Sequence, residues 1–281
     1  MGPWGEVIGV VALACIGAGA GYLLSLLPKP YWLVGFIPPL LVLIALGLPT
    51  LDHMASFQWL TANRRENAVA AIPIAMMFFV TLRHLKTRQL RILVVLLAAV
   101  SEVYLALMPF LMPALAEPYF RRLKCVIDSD GVCIQSTGYT CVPAATVTVL
   151  RRLGFEATEG EIAILARMPL WEGAHFGLLE AGLKKRYGPQ GLRFVNRQFG
   201  TVEELRKAVP ALVSSKEIPG VGHCVAVLEV TDSEVVIGDP TGGYRKLSHE
   251  YFMKIWDGWG IALSREPVPK MDSGAANGPV E

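Results

Sequence analysis

The sequence predicts an α+β protein in two parts: an all-α part of four apolar helices, then a domain that combines helices with an antiparallel sheet. Three observations carry this. Charge is spread unevenly, with 7 Lys/Arg and 4 Asp/Glu in residues 1–116 against 19 and 20 in residues 117–281. The apolar residues of the first part come in runs of the length that crosses a bilayer. The second part has ordinary charge and ends in short β-branched runs bounded by glycine, which read as strands. Over the whole chain, 53% of residues are hydrophobic and 18% charged, where a soluble domain averages ~25% charged. That composition excludes a wholly soluble chain, a disordered or collagen-like one, and a small disulfide scaffold. The formal charge of +2 splits into +3 and −1, so neither part has a strongly basic face and no nucleic-acid partner is expected.

Residues 1–116 are expected to form the transmembrane domain. Val7–Leu27 is the first span, and its Gly17 and Gly21 make a G-x-x-x-G that lets another helix approach, or that simply packs. Pro28-Lys29-Pro30 turns the chain, because proline cannot continue a helix. Tyr31–Leu48 is the second span, kinked at Pro38-Pro39, and Leu51–Asn63 reads as an interfacial loop or short amphipathic helix. Ala68–Leu82 is a short third span, and Ile92–Ala116 a fourth, interrupted at Ser101-Glu102, Pro109 and Pro113. Glu102 is an intramembrane carboxyl group, open to a functional role or to a packing role near the interface. The apolar start has no Lys or Arg before it, unlike a secretory signal peptide, and Ala114-Leu115-Ala116 only resembles a cleavage site.

Four spans put the soluble domain on the same side as the N-terminus. Basic residues flanking the spans number five on each side, so the positive-inside count is tied. The dense 83–91 loop tips it toward a cytoplasmic location for that loop. The soluble domain, residues 117–266, is then expected outside the cytoplasm of a bacterial inner-membrane protein, with residues 267–281 a disordered tail. No Walker-type phosphate loop is present. The five cysteines include no C-x-x-C, so no metal site and no cofactor are expected.

The chemistry is concentrated at three places. A polar loop containing Gly138 runs into an apolar helix that ends at Gly154, with Pro143 in its first turn. Cys141 therefore stands at the helix N-terminus, where the helix dipole and free N–H groups favour a thiolate. Gln135, six residues earlier, can donate its amide to an oxyanion alongside the Cys141 backbone N–H. His223 opens the strand His223–Val230. The next strand, Glu234–Ile237, returns to Gly238-Asp239-Pro240, which brings Asp239 beside His223 to orient the imidazole. Two-residue alternation turns Cys224 to the opposite face, as a buried core residue.

This combination resembles the papain-like cysteine peptidases that process bacteriocin precursors, the double-glycine leader peptidase family. The points of contact are the Gln-x5-Cys loop, Pro143-Ala144-Ala145, the Gly222-His223-Cys224-Val225-Ala226-Val227 strand and the Gly238-Asp239-Pro240 turn, over about Val132–Ser264. The resemblance implies a papain-like fold with Cys141 as nucleophile, His223 as base, Asp239 as orienting acid and Gln135 as oxyanion donor. It implies a peptide or protein substrate, such as a leader or exported peptide, and a separate transporter as a candidate partner beside the lipid bilayer. Two departures stand out. Val142 follows the nucleophile where the family usually has glycine, and membrane spans replace the fused ABC transporter. The same four residues would equally serve an acyltransferase or an amidase, and a non-catalytic membrane peptide-binding protein is the reading from another class.

Other polar residues read differently from this set. His175 reads as a surface histidine or a cleft contact, and His249 as a first-turn residue after the N-cap Ser248. Asp232 and Asp257 are alternative acids away from His223. Cys125 and Cys133 flank the turn Asp128-Ser129-Asp130-Gly131, placed for a disulfide or for two free thiols. Thr201 and Glu204 form a capping box for a helix to Val209. The sheet is expected after residue 220.

Overall fold

The computed structural model describes residues 3–28, 31–46, 65–217 and 222–267 of the chain. The expected turn at residues 29–30, the Leu51–Asn63 segment, the end of the second expected span and the tail beyond residue 267 lie outside the described residues. Two compact units result. One is built on the chain up to Tyr119 together with Arg167–Leu170, the other on Phe120–Ala166 and the chain from Trp171 onward.

The first unit is helical: α1 (Pro3–Leu24), α2 (Ile37–Leu46), α3 (Arg65–Phe79), α4 (Arg88–Ser101) and α5 (Met108–Phe120). Three helical stretches are long and apolar enough to cross a membrane, Trp4–Leu24, Glu66–His84 and Arg88–Phe120, and Tyr31–Ile44 is a shorter apolar one. Arg88–Phe120 is one helical run through Ser101, Glu102, Pro109 and Pro113. Its six residues Glu102–Leu107 are π-helical, and the Met108 N–H reaches back to the Val103 carbonyl. Pro109 explains this: it has no N–H and its ring crowds the carbonyl four residues back, so the wider turn before it lets the helix continue. Gly17 and Gly21 face α3 so closely that an added Cβ would overlap the Ile72 and Met76 carbonyl oxygens. Their hydrogen atoms thus permit the backbone contact between α1 and α3.

The second unit opens with a two-stranded ribbon, β1 (Val126–Ile127) against β2 (Cys133–Ile134), followed by α6 (Cys141–Arg152), α7 (Glu159–Leu165) and α8 (Phe176–Tyr187). A six-stranded sheet follows, in the order β3-β8-β4-β5-β6-β7, with every pair antiparallel. Its strands are β3 (Leu192–Gln198), β4 (Ala211–Ser215), β5 (His223–Val230), β6 (Glu234–Asp239), β7 (Gly243–Ser248) and β8 (Trp256–Arg265). The sheet therefore begins before residue 220. Polar residues along β3 mask it, because it pairs only with β8 and leaves most of its side chains exposed. The Thr201-capped helix α9 (Val202–Arg206) is shorter than expected: Pro210 steers Val209 away from helical geometry and the chain enters β4. The helix α10 (His249–Ile255) starts at the Ser248 cap, whose hydroxyl accepts from the Tyr251 N–H.

Packing explains why α6 holds its place. Residues 141–150 are all buried, and the helix lies against β5. The hydroxyls of Thr146 and Thr148 donate to the Val142 and Ala144 carbonyls, so neither is left unpaired in the interior. Gly154 stops the helix with φ of 78°, a left-handed conformation in which a side chain is strained. A second core joins Phe199, Leu205, Val225, Val227, Ile237, Phe252 and Trp256 around the sheet.

Candidate active site

Cys141 is the first residue of α6 and is 8% exposed. The earliest N–H groups of a helix have no acceptor within it, so the Cys141 backbone N–H points out of the helix start. Thr140 shapes the turn before it. Its hydroxyl accepts from the Thr137 N–H and donates to the Thr137 carbonyl rather than capping the helix.

His223 opens β5 and Asp239 ends β6, which the register brings to the same end of the sheet. His223 Nε2 lies 2.8 Å from Asp239 Oδ1, and their side chains are 13% and 3% exposed. The Cys141 side chain lies close enough to the same imidazole to favour its charged form. With Nε2 committed to Asp239, Nδ1 is the nitrogen left for the sulfur. The Asp239 hydrogen bond first, and the nearby Cys141 side chain second, raise the imidazole pKa to about 9 against the desolvation that would lower it. Burial alone would push the Asp239 carboxyl up, but bonds from His223 and Thr241 outweigh it and hold the group well below the usual carboxylate range.

Asp239 has more partners than the sequence pattern showed. The Thr241 N–H and hydroxyl donate to Oδ1 at 2.9 and 2.7 Å, and Arg245 Nη1 donates to Oδ2 at 3.0 Å. Arg245 also makes a two-pronged pair with Glu217, whose Oε1 accepts from the Tyr251 hydroxyl. The signal for Arg245 was available: in β6–β7, Asp239 pairs with Gly243 and Ile237 with Arg245, so two-residue periodicity puts Arg245 on the Asp239 face. Glu217 is distant in sequence and carries no such signal.

Gln135 follows β2. Its backbone N–H donates to the Pro240 carbonyl at 2.9 Å, which ties it to the residue after Asp239. Its side-chain Nε2 donates one hydrogen to the Thr137 carbonyl at 2.8 Å and retains a second. The next residue is anchored by a carboxylate no motif had announced. Glu159, fully buried at the first turn of α7, accepts from the Ser136 N–H at 2.8 Å and the Ser136 hydroxyl at 2.5 Å.

The remaining candidates fall elsewhere. Cys224 is 2% exposed, pairs with Ser214 across the sheet, and burial pushes its thiol well up. Val142 is packed at 6% exposure. Asp232 pairs with Arg206, Asp257 accepts from the Trp259 N–H, His249 contacts the Thr231 carbonyl, and His175 is exposed before α8. Among the described residues, no group of three or more His, Cys, Asp or Glu gathers as a metal site.

A cysteine-led helix packed on an antiparallel sheet that presents a histidine and an aspartate is the architecture of the papain-like cysteine peptidases. Residues 130–269 match the model of the Peptidase C39 family, and the chain belongs to that family. It is 31% identical over 144 residues to an uncharacterized protein of Methanothermobacter marburgensis, spanning 51% of this chain and 95% of that one. It is 27% identical over 144 residues to the "probable functional amyloid protease FapD" of Pseudomonas fluorescens, spanning 50% and 62%. Among solved structures, the peptidase domain of Streptococcus ComA, a bifunctional ABC transporter involved in quorum sensing, superposes with a TM-score of 0.41 at 19% identity, over 47% of this chain and 96% of that one. A double glycine motif protease from an AMS/PCAT transporter, in complex with its leader peptide, gives 0.42 at 16% identity, over 51% and 93%.

Proposed function

We propose that this chain is a membrane-anchored cysteine endopeptidase that cleaves a leader or exported peptide, with residues 1–116 as the anchor and 117–266 as the peptidase domain. The observation that carries the reading is the buried His223–Asp239 pair at 2.8 Å, with Cys141 at the start of a helix near enough to raise the imidazole pKa. The apolar helices support the anchor, and membership of a peptidase family supports a peptide substrate.

In this mechanism the Cys141 thiolate attacks the carbonyl carbon of the scissile peptide bond. The carbonyl oxygen becomes an oxyanion that receives the Cys141 backbone N–H and the second Gln135 Nε2 hydrogen. The tetrahedral intermediate collapses, the C–N bond breaks, and the His223 imidazolium passes its proton to the leaving amine. The acyl group is now a thioester on Cys141. Neutral His223 takes a proton from water, whose oxygen attacks the thioester. Collapse releases the carboxylate product and returns the thiolate. Asp239 keeps the imidazole oriented and favours its charged form throughout.

The test is Cys141→Ala in the full chain, incubated with peptides that carry double-glycine leaders and with unrelated sequences, followed by mass spectrometry. Loss of hydrolysis, together with loss of labelling by a thiol-directed electrophile, is the expected result; undiminished cleavage overturns the proposal. Mass spectra that show acyl transfer or side-chain deamidation by the wild-type chain, without backbone cleavage, reassign the same residues to another thioester reaction.

A further inference from the structure

The Cys125–Cys133 pair belongs to none of the chemistry above. Cys125 precedes β1 and Cys133 opens β2, and their sulfurs are 3.2 Å apart as free thiols. The backbone holds them there without help from the thiols. Asp128 Oδ1 accepts from the Asp130 and Val132 N–H groups at 3.0 and 2.8 Å, Asp128 N–H donates to the Val132 carbonyl at 2.9 Å, and Gly131 closes the turn at φ of 85°. Cys133 is itself fixed, its N–H donating to Thr148 Oγ1 on α6. The two sulfurs differ in access: Cys133 is 0% exposed, whereas Cys125 is half-buried and reachable from solvent.

We propose that Cys125 and Cys133 form a second thiol site, separate from Cys141, that exchanges with a low-molecular-weight disulfide and closes to an intramolecular disulfide. The half-buried sulfur attacks and the buried one resolves, which is the division of labour that access requires. Charge agrees with this order. The hydrogen bond from Cys133 lowers the Cys125 thiol below the ordinary range, while the same bond and burial raise Cys133; Glu159 and Arg151 are the charged groups that face the pair.

The exchange balances with oxidised glutathione as the oxidant. Cys125 thiolate attacks one glutathione sulfur, the S–S bond breaks, and one glutathione leaves as thiolate. Cys133 then gives up its proton to that thiolate, its sulfur attacks Cys125 Sγ, and the second glutathione leaves. Two protein thiols are oxidised and one glutathione disulfide is reduced to two thiols. The product braces β2, which runs straight into Gln135 and its bond to Pro240.

The test uses the full chain in detergent carrying Cys141→Ala, so that failure of the peptidase reading leaves the result untouched. The protein is incubated with oxidised glutathione, quenched with an alkylating reagent and mapped by peptide mass spectrometry. The expected product has lost the mass of two hydrogens, contains a Cys125–Cys133 cross-linked peptide, and reverts with dithiothreitol. Adding Cys133→Ser is expected to trap glutathione on Cys125, and adding Cys125→Ser to leave Cys133 unmodified, with circular dichroism confirming that each variant is folded. A stable glutathione adduct on Cys125 beside a free Cys133 overturns the proposal, as does a Cys125 that stays reduced in the otherwise wild-type background.

Discussion

In the proposed peptidase, Asp239 orients the His223 imidazole at 2.8 Å and Cys141 is the group that the imidazole serves. Its pKa of about 9 makes it an imidazolium at neutral pH, the form that must donate to the leaving amine. kcat/KM is therefore expected to fall on an alkaline limb near pH 9. Asp239→Asn removes the largest cause of that elevation, so the limb should move roughly one to two pH units toward the ordinary histidine value, with kcat/KM down about 10²-fold. An unmoved limb in a pH–rate series would assign the alkaline titration to another group. Stability follows the same sign. The folded imidazole binds its proton more tightly than an unfolded one, so the pair contributes fully below pH ~6.5, and that contribution is lost as pH rises through about 9. Arg245 and Thr241 fix the two oxygens of Asp239, so the carboxylate has little freedom to turn away from the ring.

At the scale of elements, the site depends on loops pinned to helix starts. α6 presents Cys141 because its whole length is wedged into the core, and the Gln135 loop keeps its course because Glu159 at the start of α7 takes both hydrogens of Ser136. Glu159→Ala removes the acceptor of the Ser136 N–H and leaves the hydroxyl only the Lys124 carbonyl, and is expected to cost about 1–2 kcal/mol of stability. Glu159→Gln keeps an acceptor and should cost about half of that. Urea unfolding followed by tryptophan fluorescence measures both, and equal midpoints for wild type and Glu159→Ala would remove the carboxylate from the support of the loop. The close approach of α1 and α3 rests on Gly17 and Gly21 in the same way: a position is defined by what must not be there.

On the scale of the molecule, a strongly apolar unit and a normally charged one share one chain, and the proposed orientation has the peptidase domain outside the cytoplasm. A tag appended after Glu281 should then be removed by protease added to intact spheroplasts. Protection until detergent is added would put the domain in the cytoplasm and the 83–91 loop outside. This experiment is needed because the basic residues that flank the apolar runs are equally divided.

Apolar run length and charge density are local quantities, so the contrast between an apolar first part and a normally charged second part is legible in the chain alone. The sequence by itself also determined the helix that begins at Cys141 and the hairpin that joins β5 to β6, because a glycine stop, a proline in the first turn and β-branched runs act over a few residues. From these the pairing of His223 with Asp239 followed as a matter of register. The tertiary structure decided what lies far apart in sequence. Glu217 reaches Arg245 across 28 residues and Glu159 reaches Ser136 across 23, through side chains whose types are common on any surface. It also decided that β3 belongs to the sheet despite its polar face, and that Ile92–Ala116 lies within one continuous helix despite its prolines. Local pattern reports what a segment can form; only packing reports which buried polar groups must find one another.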